Sequence, residues 1–542
     1  LQLPVDIAIM ALLLPVVMYR IDSVLIASEI CSLVDLAIRP ELALEAVTKD
    51  SFNTEEHGED QVHFQPGMGK NYERLEFLGD TFLKMATTIS VYTLYPNENE
   101  FEYHVKRMLM LNNKNLFTHA IEKKLPGYIR TRAFDRRTWY PSDLKLNKGK
   151  PTKAKAKHCL SHKSIADVCE ALIGAAYLTS KSNNSMDMAV KAVTAMVNSE
   201  NHTMVKFSDY RARYTAPEWH SYEPNAAQRN MVERIAEITG YRFQCAPLLR
   251  SAFKHSSYVY EEKIKRDYQQ LEFLGDALID MVVVDFLYSR FPEADPKWLT
   301  EHKMAMVSNQ FLGFLCVKLG LSKHLMLATS QLHSNIREYT AEAKEAEEKA
   351  KACKKAHGNE AAASSEEGAS AEAPSVTLDF WAEIQQPPKA LADVVESFVG
   401  AMFVDSGYSF SVVRDFFAKF IQPYFEDMAL LSSFASNHPV TVLIHALQED
   451  YRCTQWKLHM ASVPPSTDDS GVAILAESEL LCALMIHGNV IAHATSTKSG
   501  VTAKLTVAKL ALKKLESIQD ANHFRTEMGC DCGGGGSAAA MN

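Results

Sequence analysis

No surplus of positive charge marks this chain. Its formal net charge is −9 at pH 7, which argues against a protein drawn to a polyanion by its overall field. Its ten cysteines have no regular spacing, so they spell out no disulfide framework and suit a reducing, intracellular compartment, cytoplasm and nucleus being left undistinguished. Basic residues are missing ahead of the apolar opening at residues 1–17, and Pro4, Asp6 and Pro15 interrupt it. These features argue against a secretory signal, and the run is too short for a bilayer, so a buried core strand or helix and no membrane partner are expected. An initiator Met is also lacking, which suggests a sequence that starts inside a longer protein.

What is present is size and repetition. At 542 residues and 47% hydrophobic, the chain can bury two or three cores. Long apolar patterns such as 171–178 and 277–287 argue for helices. The hexapeptide Leu-Glu-Phe-Leu-Gly-Asp occurs at Leu75–Asp80 and again at Leu271–Asp276. Each copy is followed by Lys-x-x-Ala-Asp-Val-x-Glu, at Lys163–Glu170 and Lys389–Glu396. Two blocks repeated in one order indicate duplicated domains.

The spacing carries chemistry. Glu76 and Asp80, like Glu272 and Asp276, stand four apart, so each pair projects from one helical face. Asp167 and Glu170, like Asp393 and Glu396, stand three apart and do the same. Two such helices packed together bring four carboxylates to one point, which a cation must neutralise. Hard oxygen donors favour Mg²⁺, or Mn²⁺ in its place. Gly79 and Gly275 weaken otherwise good helices by about 1 kcal/mol relative to alanine, a cost that close approach of a second helix or of a substrate backbone would explain. A solvated acidic face would account for one such pair, but not for two copies of both blocks.

On these residues the chain resembles the C-terminal part of a Dicer-type ribonuclease of the fungal Dicer-like kind, with tandem ribonuclease III domains, over about 500 residues. The resemblance implies a mainly α fold whose two ribonuclease III domains form an intramolecular pseudo-dimer. It also implies hydrolysis of double-stranded RNA by a metal-activated water, one strand per domain, giving short products with 3′ overhangs in RNA silencing and antiviral defence. A monomer is expected, with silencing-pathway proteins as further partners. The domains are expected at 1–216, with a basic insertion at 130–162, and at 217–430, with a low-complexity insertion at 341–375. The segment Leu248 to Tyr258 is similar to the one preceding the first motif in such domains.

Between 130 and 163 there are four Arg and seven Lys against two Asp. Arg130, Arg132, Arg136 and Arg137 are therefore candidates for RNA phosphates, although a solvated insertion would look the same. The second insertion reads as a solvated helix to about Lys355, then disorder. From 437 to 517 a helix at 440–450, alternating segments at 455–461, 473–479 and 481–486, and a helix at 503–516 give α-β-β-β-α. That small α+β order resembles a double-stranded-RNA-binding domain, with Lys498 and Lys504 as candidate contacts. Gly500 and Val501 stand where the family has a Lys-Lys doublet, and six Lys and one Arg balance seven acids. Weak autonomous RNA binding, or a docking or localisation role, is expected.

In the tail, residues 518–542, Cys530 and Cys532 resemble late cysteines of fungal Dicer-like proteins. The resemblance implies that they join Cys453 and His487 around a structural Zn²⁺, with His493 as the alternative histidine. It also implies Mg²⁺ at Glu76, Asp80, Asp167 and Glu170, and at Glu272, Asp276, Asp393 and Glu396, in a two-metal arrangement. Glu170 and Glu396 are the acids whose loss should be most damaging. Lys163 and Lys389, one helical turn before the aspartates, are placed to stabilise charge on the phosphate. The competing readings are an RNA-binding scaffold with degenerate catalytic domains, against which all eight acids speak, and a metal-dependent phosphohydrolase for a smaller substrate.

Overall fold

A computed structural model describes residues 4–49, 70–131, 134, 139, 146–147, 150–151, 160–260, 266–361, 384, 386–426, 439–463, 479–496, 500–515, 518, 521–528, 530 and 532. The chain divides into two compact units, residues 1–427 and 428–542.

In the first unit the helices are α1 (Val5–Leu33), α2 (Pro40–Ala46), α3 (Glu73–Leu94), α4 (Glu100–Leu111), α5 (Asn113–Glu122), α6 (His162–Lys181), α7 (Asp187–Val197) and α8 (Ser208–Arg213). A second set follows: α9 (Ala226–Thr239), α10 (Ala246–Ser251), α11 (Gln269–Arg290), α12 (Pro296–Met306), α13 (Asn309–Lys318), α14 (Ser330–Ala361), α15 (Lys389–Asp405) and α16 (Phe410–Phe416). Both acidic blocks lie where the spacing expects them, on α3 and α6 and on α11 and α15. These four helices are buried along most of their length, because apolar residues surround the acids on nearly every other face.

Glycine sets how closely the helices approach. A Cβ built on Gly79 would fall 1.8 Å from the Glu170 carbonyl oxygen, and one on Gly275 would fall 1.8 Å from that of Glu396. Gly174 and Gly400 return the contact, since a Cβ built on either would fall 2.3 Å from the carbonyl oxygen of Leu75 or Leu271. The neighbour is therefore a second helix. In both pairs a glycine on each partner lets the backbones touch, and the acids on either side are drawn together.

The two helical sets pair with one another. The Arg74 guanidinium, at the start of α3, donates to the carbonyls of Ala294, Phe291 and Tyr288 beyond and at the end of α11. Reciprocally, Gln270 and Arg266 donate to the Glu98 carbonyl beyond α3. Arg74 and Gln270 occupy the same place in the repeat, so the pseudo-dimer is held by matched contacts.

Three expectations are corrected. The apolar opening is neither short nor buried: α1 has 29 residues, and within it only Tyr19, Ser23, Ala27 and Ile30 are buried. Pro15 does not end the helix, and Val5, Met10, Leu12 and Leu14 are exposed. By length and composition alone α1 would suffice to cross a membrane, with 6% of its most apolar window buried. The Lys- and Glu-rich helix is also longer than expected, beginning at Ser330 and running to Ala361. The rest of the second insertion, and most of the basic one, lies outside the described residues.

The third correction concerns the second unit. A helix α17 (Pro439–His445) continues as a π turn to Asp450, ahead of a three-stranded antiparallel sheet β3–β4–β5. Here β1 and β2 denote the short pair Leu146–Asn147 and Lys150–Pro151 of the first unit. The strands are β3 (Trp456–Val463), β4 (Glu479–Ile486) and β5 (Asn489–Ser496), followed by α18 (Gly500–Leu515) and α19 (Ala521–Met528). Three strands were expected, but 481–486 is the middle one, and of 473–479 only the last residue is described. The missed strand, β5, follows a tight turn at His487 and Gly488, both with positive φ (47° and 81°), the twist that two-residue hairpins favour. The helix α19 was also not foreseen.

Replacing Gly79 or Gly275 by alanine forces backbone apart from backbone, so each variant should lose at least about 1–3 kcal/mol in urea unfolding. Gly127→Ala, with nothing within 4 Å of its Cβ position, should unfold as the wild type does.

Candidate metal and catalytic centres

Ligand atoms of Glu76, Asp167 and Glu170 all lie within 4.8 Å of one another, and so do those of Glu272, Asp393 and Glu396. Three carboxylates, rather than the expected four, meet at each point. Asp80 and Asp276 stand at the margin, close enough that their charge adds to the proton affinity of Glu170 and Glu396.

The acids are oriented by groups one turn away. Tyr72 donates its hydroxyl to Asp167 Oδ2 (3.4 Å) and Tyr268 to Asp393 Oδ2 (3.0 Å). Lys163 Nζ is 3.5 Å from Asp167 Oδ2. Lys389 Nζ bridges Glu272 Oε1 (2.8 Å) and Asp393 Oδ1 (2.7 Å). Both lysines thus reach the sites as expected. The tyrosines were missed, although each stands four residues before the first motif glutamate in both copies. The reciprocal glycines, Gly174 and Gly400, follow the second-motif glutamates by four and were also overlooked.

Ionising all three acids of a cluster is costly. At 4.8 Å each pair of like charges repels by roughly 3–4 kcal/mol at an effective dielectric constant of about 20. Burial, then the neighbouring acids, push Glu170 up to about 9 from an ordinary 4.5. Burial and Asp167 push Glu76 up to about 7, and burial and Asp393 do the same to Glu272. Glu396 is raised well above the ordinary range, chiefly by burial. Each cluster therefore has more negative charge than one lysine offsets, and an all-oxygen donor set: the residues fit a divalent cation.

A third cluster forms in the second unit. Donor atoms of Cys453, His487, Cys530 and Cys532 lie within 4.8 Å of one another. His487 Nε2 is 3.7 Å from Cys453 Sγ and 3.3 Å from Cys532 Sγ. His493 lies within β5, paired with Ala483, and is not in this set. The turn that places His487 is the β4–β5 hairpin. A hydrogen bond with Thr454 lowers the Cys532 thiol to about 6, whereas burial raises Cys453 to about 12. A Cys₃His set with one thiol poised to ionise fits a structural zinc.

Of the candidate RNA contacts, Arg132, Arg136, Arg137 and Lys498 lie outside the described residues. Lys504 is exposed on α18. Arg130 has a structural task that the charge count did not reveal: its guanidinium lies 4.3 Å from the centre of the Tyr19 ring and donates to Ser23 Oγ (3.1 Å). It fastens α1 to the body of the domain.

Residues 73–181 and 269–407 match the ribonuclease III domain family, and residues 431–517 match the dsRNA binding domain family. Dicer-like protein 1 of Chaetomium globosum is 50% identical over 536 residues, covering 98% of this chain and 33% of that protein. Dicer-like protein 1 of Neurospora crassa is 46% identical over 547 residues, covering 98% of this chain and 34% of that one. The chain thus spans about a third of the length of the curated relatives it matches. Among solved structures, Dicer from Giardia intestinalis aligns over 65% of this chain and 55% of its own, at 12% identity and a TM-score of 0.34. Duplicated helix pairs, each closed by glycine around buried acids, and the two ribonuclease III domain matches make this a ribonuclease III family chain. Within that family, the tandem domains followed by a dsRNA-binding domain place it with the Dicer-like proteins.

The raised carboxyls have a measurable consequence. Between about pH 4.5 and 9 the folded, metal-free protein retains protons on Glu170 that the unfolded chain has released, so its stability falls as pH rises through that window. In EDTA the melting temperature should fall from pH 6 to 9. Added Mg²⁺ should raise it most at the upper end, and Glu170→Gln with Glu396→Gln should flatten the dependence.

Proposed function

We propose that this chain is the cutting portion of an endoribonuclease that cleaves double-stranded RNA into short duplexes with 3′ overhangs, one strand per domain, in RNA silencing. The observation that carries this reading is the pair of three-carboxylate clusters on equivalent helices of two domains that face each other. Duplex RNA suits two such sites, because its wide, shallow minor groove exposes both strands and their 2′-hydroxyls.

Glu76, Asp167 and Glu170, and Glu272, Asp393 and Glu396, hold the cations, with Asp80 and Asp276 completing each acidic set. Bound Mg²⁺, or Mn²⁺, supplies charge for activating the attacking water and for the departing 3′ oxygen in a two-metal displacement. Tyr72 and Tyr268 keep the aspartates in the orientation that presents them. Lys163 and Lys389, largely exposed above the acids, offer an ammonium to the scissile phosphate. Arg132, Arg136, Arg137, Lys498 and Lys504 supply sequence-independent phosphate contacts. In the second unit Cys453, His487, Cys530 and Cys532 hold Zn²⁺ and tie the tail to the sheet. The cysteine usage suits an intracellular protein.

On long duplex RNA with Mg²⁺, Glu170→Gln should abolish the cut in one strand and Glu396→Gln the cut in the other, read from separately end-labelled strands. If either single variant still cuts both strands, the one-site-per-strand assignment fails; if the wild type never cuts, the scaffold reading replaces it. The purified chain should carry one equivalent of zinc, lost in Cys530→Ser/Cys532→Ser with a lower melting temperature of the C-terminal unit. Retained zinc in that variant would remove the cysteines from the site.

A further inference from the structure

The repeat places Lys84 on α3 and Asp280 on α11 at equivalent positions, each four residues beyond the motif aspartate. Because α3 and α11 pack against each other, these positions meet between the two domains, and there the duplication is broken: one is a cation and the other an anion. Lys84 Nζ lies 2.6 Å from Asp280 Oδ2 and 2.8 Å from Asp276 Oδ2. Lys303 Nζ approaches Asp280 Oδ2 from α12 at 3.2 Å. Arg107, which holds in α4 the place of Lys303 in α12, lies 4.2 Å over the Phe273 ring.

We propose that Lys84, a residue of the first domain, is a positioning residue of the second catalytic site, where it holds the Asp276 carboxylate toward the Glu272–Asp393–Glu396 cluster. Asp276 is the acid most in need of such a hold, since its side chain is 39% exposed and it stands outside the tight three-carboxylate set. Asp280, only 5% exposed, anchors the ammonium between the two domains.

At the first site no side chain among the described residues pairs directly with Asp80 as Lys84 pairs with Asp276, although Lys303 and Lys84 act on Asp80 electrostatically from farther off. The residue that stands to Asp80 as Lys84 stands to Asp276 is Asp280, of like sign. Among the described residues Asp80 makes no ion pair within 4.0 Å. The two centres share their ligands but not this direct ion pair. The second is complete only when the first domain is docked against it, which ties one strand's cut to correct pairing of the halves.

The inference rests on the endonuclease reading for its strand assay but not for its metal assay. In the full chain, Lys84→Met should reduce the cut made by the second site by roughly 10–100-fold, the usual effect of removing a partner that orients a metal ligand, with the first site's cut as internal reference. In a Glu76→Gln/Glu170→Gln background, Mn²⁺ affinity of the remaining site, read by electron paramagnetic resonance, should fall by a similar factor and be partly restored by Lys84→Arg. The exchanged pair Lys84→Asp/Asp280→Lys keeps opposite charges at the interface but turns the ammonium toward Asp80. It should weaken the second site while sparing the first. The proposal is overturned if Lys84→Met lowers both cuts equally alongside a lower melting temperature, or if second-site Mn²⁺ affinity is unchanged. Should the wild type not cut at all, the endonuclease reading fails and the Mn²⁺ result alone decides this one.

Discussion

Two helix backbones touch at Gly79 and Glu170, and two more at Gly275 and Glu396, with no room for a methyl group between them. Everything else in the catalytic unit depends on that approach. A Cβ at either glycine, 1.8 Å from a carbonyl oxygen, would push the helices apart by about 1.5 Å or more to restore ordinary contact, and the acids beside the crossing would be drawn away from their shared point. The cost of glycine in the middle of a buried helix, about 1 kcal/mol, is small beside the placement it permits.

Close approach creates its own electrostatic problem. Buried carboxylates so near one another raise each other's proton affinity, and the protein offsets only part of that with Lys163 or Lys389. A site left in this state waits for positive charge. The same crossing thus explains the fit to a divalent cation, the raised carboxyls and the direction in which metal-free stability should change with pH. Docking of the two domains adds a second layer, because the charges on α3 and α11 are not symmetric even though the ligands are.

Much of this was legible in the sequence, for reasons that differ by element. The four site helices were readable because acids at i, i+3 and i+4 sit among apolar residues, and because duplication made chance spacing untenable. The glycines announced a close neighbour by their propensity cost, without saying which helix it was. Tyr72 and Tyr268 were within reach, since they too repeat, but a tyrosine before a helix looks like ordinary core until its hydroxyl is seen on an aspartate. The strand β5 was missed although Gly488 supplies the positive φ of its turn: one glycine between two apolar runs is a slight break, and the segment 473–479 already filled the strand count. Exposure of α1 was not readable at all: apolar composition states what a segment would bury, not whether a partner surface is at hand. Charge counts misled in the same way at Arg130, whose guanidinium is engaged by Tyr19 and Ser23.

Each helix crossing gathers three carboxylates into a centre for divalent cations. Anomalous scattering from a crystal grown with Mn²⁺ tests it most directly. At least one peak is expected among Glu76, Asp167 and Glu170 and at least one among Glu272, Asp393 and Glu396. A map with neither peak, or with manganese only at surface carboxylates away from the two crossings, would contradict it.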